Sequence, residues 1–217
     1  MARLGTVRRD EASHVDRGNG EVECGVAITP VVKANARVDW LGVGVDDEVV
    51  TAAVDRIELT LEGISGDRHS GFARRADVRV PWFRRGERIH NERQFTIVSS
   101  EDLAEIAARL ALPRVEAAWL GANLMVSGLA RFSLLPRGTR LFFSSGAVLV
   151  VTAQNAPCRI AGRALAQAAG GDESVPFQFV KASKRLRGVT ANVDRAGAIE
   201  VSDDISVRVP EQWIWYP

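Results

Sequence analysis

Cys158 is followed directly by Arg159 and stands just past the apolar, β-branched run Val148-Leu-Val-Val-Thr152. Between run and thiol lie Gln154, Asn155 and Pro157, polar and turn-forming residues that end a buried strand. Cationic neighbours raise the thiolate fraction of a thiol, and a thiolate is both a nucleophile and a soft-metal ligand. A free cysteine is equally at home as a small buried hydrophobe. On these residues alone both readings stay open.

A second group with chemical capacity is the loop Gly63-Ile-Ser-Gly-Asp-Arg-His-Ser-Gly71. Its three glycines permit positive φ and close approach of backbone to a ligand. Asp67, Arg68 and His69 supply an acceptor, a strong donor and a titratable ring; the plainer reading is an ion pair that pins the loop. The Gly-Lys-Ser/Thr ending of a phosphate-binding Walker loop is absent. Residues 72–88 follow with Arg74, Arg75, Arg79, Arg84, Arg85 and Arg88 against Asp77 and Glu87, interleaved with Pro81, Trp82 and Phe83. Such a segment is either a solvated loop with amphipathic arginine stems or a rim facing an anion. His90, Asn91 and Arg93 sit where the next strand begins.

These groups must be positioned by elements that are mostly strands. Ile57, Leu59 and Leu61 share one face at period 2. Strands are expected also over 22–32 (with Cys24 as a packing residue), 38–43, 49–54, 95–98 and 120–126. Thr139–Phe143 and Ala147–Thr152 form a hairpin about Ser144-Ser-Gly146, and the chain closes with strands over 188–193 and 199–209. Ser99-Ser-Glu-Asp102 caps a helix whose stripe is Leu103, Ile106, Ala107 and Leu110, stopped at Pro113. Further helices are expected over 160–169, ending at Gly170-Gly171, and over 174–181 with Pro176 in the first turn. Many short strands with a few peripheral helices argue for a mostly-β barrel rather than alternating βαβ units.

The bulk properties narrow the function. The chain has 217 residues, 46% hydrophobic and 25% charged, with a net charge of +1. That balance excludes a general nucleic-acid or membrane-surface binder. Two cysteines, Cys24 and Cys158, make neither a disulfide framework nor a structural zinc site. His14, His69 and His90 are too far apart in sequence to suggest a histidine metal cage. No run is long enough to span a bilayer, and the basic N-terminus lacks the apolar segment of a secretory signal, so a reducing, cytoplasmic setting is expected.

In order, Gly63–Gly71, Asn91-Glu-Arg-Gln94, Trp119-Leu-Gly-Ala-Asn-Leu124, Phe132–Arg140, Ala156-Pro-Cys158-Arg159 and Arg187-Gly-Val189 make a familiar set. The chain resembles the MOSC domain family, named for the C-terminal domain of molybdenum cofactor sulfurases. The likeness covers roughly residues 37 to 209, leaving 1–36 as an N-terminal extension and 210–217 as a tail. It implies a MOSC-type β-barrel in which Cys158 either carries sulfur as a persulfide or ligates molybdenum. It further implies that Arg68, Arg93 and Arg159 meet the phosphate of the molybdenum cofactor (molybdopterin), and that Asn91, Asn123 and Asn155 meet the pterin. Asp67 and His69 join them as candidate cofactor contacts. The sulfurases carry a pyridoxal phosphate desulfurase domain ahead of this one, for which about 36 residues leave no room, so no pyridoxal phosphate is expected here. The last strand reads Val201-Ser-Asp-Asp-Ile-Ser-Val207 where the family tends to have Gly-Asp, a change confined to a turn.

The implied function is a stand-alone MOSC protein that binds molybdenum cofactor, or carries sulfur on Cys158 for maturation of a metal-sulfur cofactor. Its partners would be that cofactor or a sulfur acceptor, with a separate cysteine desulfurase as sulfur source. Two alternatives stand beside it. One is a molybdenum-dependent reductase of N-hydroxylated compounds, fed by a separate reductase since no flavin or iron–sulfur pattern is present. The other is a non-catalytic ligand-binding barrel with an inert Cys158. Nucleic-acid binding through residues 74–88 would require steep salt dependence and is disfavoured by the near-neutral chain.

Overall fold

The computed structural model describes residues 27–46, 48–170 and 173–214. The first strands are β1 (Ala27–Thr29), β2 (Val32–Val43), β3 (Ala52–Val54), β4 (Arg56–Thr60) and β5 (Gly63–Ile64). Next come β6 (Ala73–Arg75), β7 (Arg88–His90), β8 (Phe95–Ser99), helix α1 (Ser100–Arg109) and β9 (Leu124–Ser127). The second half holds β10 (Arg140–Phe143), β11 (Val148–Gln154), α2 (Arg159–Ala169), α3 (Val175–Ala182), β12 (Val189–Arg195), β13 (Gly197–Glu200), β14 (Asp204–Val209) and β15 (Gln212–Trp213).

Seven strands close into a barrel in the order β2, β14, β10, β11, β12, β8, β9, and β9 returns to β2. Closure removes the exposed edges that an open sheet would leave. The mostly-β barrel expected from the sequence is the observed fold. Alternation along the strands explains the core: Ile205, Val207 and Val209 of β14 face in, as do Phe95 and Ile97 of β8, around Leu41, Leu124 and Leu141. Each such side chain contributes roughly 1.5–3 kcal/mol by leaving water. Val98, on the opposite face of β8, joins a second apolar layer built by Ile106 of α1, Leu165 of α2 and Phe179 of α3. The barrel wall is thus buried on both faces on this side.

Several local expectations hold. Ser99 caps α1 by accepting the Asp102 N–H at 3.2 Å, and the β10–β11 hairpin pairs Arg140 with Val150. Gly170 ends α2 in the left-handed region.

Others are corrected. β4 stops at Thr60, so Leu61 leaves the shared face of Ile57 and Leu59 and is 51% exposed. The stretch 199–209 is two strands, because a turn with Ser202 at φ 78° parts β13 from β14. β8 and β9 are parallel, joined through α1, so one βαβ unit sits within an otherwise antiparallel barrel. The strand expected over 22–32 and Cys24 fall partly or wholly outside the described residues, as does His14. β2 runs through residue 36 and pairs with β14 from Val32 opposite Val209 to Arg37 opposite Asp204. β15, beyond residue 209, pairs with β1.

Candidate functional site

The loop after β5 is organised by Asp67, only 6% exposed. Its carboxylate accepts from the Gly44 N–H at 2.8 Å, the His69 N–H at 2.7 Å and Asn123 Nδ2 at 2.9 Å, and meets His69 Nδ1 at 3.1 Å. Burial alone would raise the Asp67 carboxyl. Hydrogen bonds from His69 and Gly44 outweigh it and hold the group below the usual carboxylate range. A carboxyl lowered in the folded state adds stability above its ordinary range, and that stability is lost as pH falls through the lower, folded value. Thermal melts from about pH 6 down to about pH 2 should therefore show an acid limb that Asp67→Asn flattens.

Asn91 Nδ2 donates to the carbonyls of His69 (2.8 Å) and Gly71 (3.0 Å), closing the other side of the loop. Asn123 also receives the Thr96 N–H on Oδ1 at 3.1 Å. These three side chains are fully engaged in shaping the loop. Arg68 projects from it: Nη2 donates to the Val49 carbonyl at 2.8 Å and Nη1 to the Asp46 carbonyl at 3.3 Å. Its guanidinium lies against Gly44 and Gly121, where an added Cβ would come within 2.4 Å and 3.2 Å of it. Only glycine leaves room for that guanidinium at Gly44.

Cys158 is half-buried and is the N-cap of α2. The reason it meets other functional groups is register. Gln154 of β11 pairs with Val189 of β12, so the turn that follows 154 lies beside the residues that precede 189. The Asn155 N–H donates to the Gly188 carbonyl at 2.9 Å and locks that neighbourhood. Arg187 is thereby brought into the same chamber as Cys158, 6% exposed, with Nη2 donating to the Leu120 carbonyl. Arg93 arrives from the start of β8, its Nη2 donating to Asn155 Oδ1 at 3.0 Å.

Burial lowers the Arg187 guanidinium to about 10, opposed by the charge of Cys158 and reinforced by Arg93 and Arg79. Burial likewise lowers Arg93 to about 10, with Arg79 and Arg74 adding to the effect. Two guanidiniums held close in a partly dry site favour an anion between them.

The cleft has two adjoining chambers that share Arg68, His69, Arg79 and Arg93. The inner one, about 180 Å³, reaches Cys158 and Arg187; the outer, about 420 Å³, adds Arg74, Arg75 and Asn91. Among the described residues six arginines line the whole, against the carboxylates Asp77 and Glu48. Among the described residues, two buried side-chain polar atoms lack a hydrogen-bond partner: Arg74 Nε and Arg187 Nη1. Arg74 lines the outer chamber and Arg187 the inner one. Unanswered buried donors are costly, and here both are cationic groups beside the same cleft.

The structure therefore brings Cys158, Arg68, His69, Arg93 and Asn155 to one cleft, with Asn91 on its wall. Asp67 and Asn123 stand behind it. Arg159, expected as a phosphate donor, is not among the lining residues; its guanidinium stacks 4.7 Å from the Phe177 ring centroid. Arg187 was legible only as part of a motif; Arg56 and Arg140 also lead into apolar strands and are exposed, so the sequence carried no signal for its burial. Among the described residues no group of three or more His, Cys, Asp or Glu side chains could hold a metal ion, and no helix is long and apolar enough to cross a membrane.

Fold and cleft together define a β-barrel protein with the Cys158 thiol in a cationic groove. The chain belongs to the MOSC domain family, whose profile matches residues 77–206. It is 35% identical over 176 residues to YuaD of Bacillus subtilis (strain 168), a match covering 81% of this chain and 92% of YuaD. The name of that relative places it among candidate metal-sulfur cluster biosynthesis proteins. The crystal structure of the Bacillus subtilis YuaD protein superposes with a TM-score of 0.80 at 34% identity, covering 82% of this chain and 98% of that one. YiiM from Geobacillus stearothermophilus shares the fold at 13% identity and a TM-score of 0.52, with 83% and 75% of the two chains covered.

Proposed function

We propose that this protein carries sulfur on Cys158, as a persulfide, within a cleft that binds an anionic cofactor or sulfur acceptor during metal-sulfur cofactor maturation. The observation that carries this reading is the half-buried thiol sharing a chamber with Arg93 and Arg187, the latter holding an unanswered donor. A persulfide is an anion near neutral pH, and cations with little access to water stabilise it more than exposed ones would. The name of the Bacillus subtilis relative supports the same assignment.

The donor set also fits the molybdenum cofactor. Arg74, with its orphaned Nε, and Arg79 and Arg68 would hold its phosphate in the outer chamber, while Cys158 would offer the thiolate. Bound there, the group would supply a metal already held by soft sulfur ligands. The chain's own part is to neutralise the phosphate, orient the ligand along the cleft and present one thiolate at its end.

Two measurements test this. Full-length protein treated with inorganic polysulfide should gain the mass of one sulfur atom on the peptide containing Cys158, and Cys158→Ala should lose that gain. Sulfur found only on other residues would overturn the carrier role. Metal and pterin analysis of native protein beside Cys158→Ala tests the cofactor: molybdenum present in the first and lost in the second is the expected result for thiolate ligation.

A further inference from the structure

We propose that the inner chamber takes a small sulfane-sulfur oxyanion of the thiosulfate class, so that Cys158 can be loaded directly by sulfurtransfer. This rests on the reading of Cys158 as a sulfur carrier and adds the chemical class of its donor. Three independent features converge on it. The thiol stands at the N-terminus of an 11-residue helix, whose first amides have no intrahelical acceptor and favour negative charge. Arg187, more than nine-tenths buried, lines the same chamber with Nη1 unpartnered. Arg93, Arg68 and Arg79 complete the wall, with Glu48 as the one carboxylate lining the inner chamber among the described residues.

Among the described residues four guanidiniums line this chamber of about 180 Å³, which favours a polyanion over a neutral or cationic sulfur donor. A sulfonate head offers oxygens to Arg187 and Arg93 while its outer sulfur is left for Cys158.

The step balances without an external oxidant or reductant. The Cys158 thiolate attacks the outer sulfur of thiosulfate and a new S–S bond forms. The bond from that sulfur to the sulfonate sulfur breaks, and its electron pair departs with sulfite. Cys158 is left as the persulfide anion. An acceptor thiolate, or cyanide as a probe, then attacks the terminal sulfur; the Cys158 thiolate is regenerated and thiocyanate is released in the cyanide case. Arg187 and Arg93 hold the oxyanion in the first half and are freed when sulfite leaves.

The test compares two donors on the full chain. Thiosulfate should yield one persulfide on Cys158 and one sulfite per chain, and should sustain thiocyanate release when cyanide is added. The ratio of thiosulfate loading to polysulfide loading should fall at least tenfold in Arg187→Gln, as for loss of a charge-assisted hydrogen bond, and recover in part in Arg187→Lys. Arg93→Gln, on a less buried side chain, gives a second reading of the same ratio should Arg187→Gln not fold. If polysulfide loads Cys158 and thiosulfate does not, the donor assignment is overturned while the carrier role stands. If neither donor loads it, both fail. An unchanged ratio in both glutamine variants removes the arginines from donor recognition.

Discussion

Replacing Gly188 with alanine should cost about 3 kcal/mol or more of folding stability, the sum of a left-handed backbone penalty and a severe overlap. Gly188 has φ +79°, and a Cβ there would lie 1.9 Å from the Ile97 carbonyl oxygen and 2.9 Å from its carbon. That contact is with backbone, so no side-chain rotation relieves it. The position sits at the entry of β12, one residue before Val189 pairs with Ile97. Its N–H donates to Ser133 Oγ at 2.7 Å, and Ser133 in turn donates to buried Asp102 at 2.5 Å. Its carbonyl accepts from Asn155. Pushing Gly188 away from β8 therefore disturbs the barrel wall and moves Arg187 and the Cys158 turn together. For a chain of this size, a melting temperature lower by roughly 6–12 °C is the expected reading. Gly66→Ala is the control. That residue has φ +81° but nothing within 4 Å of an added Cβ. It should lose only the backbone part, about 1 kcal/mol.

Asp67→Ala should lower stability by about 3 kcal/mol, because it strands several donors rather than removing one contact. The Gly44 N–H, the His69 N–H and Asn123 Nδ2 would all lose their acceptor in a buried setting. Water entering the vacated space can answer some of them, which keeps the loss below the sum of the separate penalties. Denaturant unfolding measures the size. Hydrogen exchange locates it: amides of Gly44 and His69 should exchange much faster, while those of β10 and β11, opposite β9 in the barrel order, stay protected. Uniform loss of protection would count against a local hub. The distinction matters because Arg68 is placed by this loop and reaches the cleft from it.

The legible part of the site was its chemistry by residue type. Cys158 stands at a strand-to-helix turn in the sequence and in the structure. The Asp67-Arg68-His69 loop reads as polar and glycine-shaped, and so it is. The division of labour within it was not legible. Asp67, Asn91 and Asn123 look like ligand contacts as residue types, yet their polar atoms are taken up by protein partners. Whether a buried amide or carboxylate serves a ligand or the backbone depends on which groups fold against it, and those come from β2, β8 and β9.

What the sequence by itself determined is local. Period-2 alternation makes β4 and β14 half-buried strands, Ser99 and the Leu103–Ile106–Ala107 stripe make α1, and Ser144-Ser-Gly146 turns a hairpin. These follow from preferences exerted over a few neighbouring residues. Tertiary structure alone decided the cleft. Arg187 meets Cys158 because β11 and β12 pair with Gln154 opposite Val189, and a slip of one residue would turn every side chain to the other face. Arg159 leaves the cleft because α3 packs beside α2 and offers Phe177. Arg74 and Arg79 reach the same groove because β6 pairs with β7 and returns the chain to Arg93. Long-range pairing, not composition, put these guanidiniums and the Cys158 thiol around one cleft.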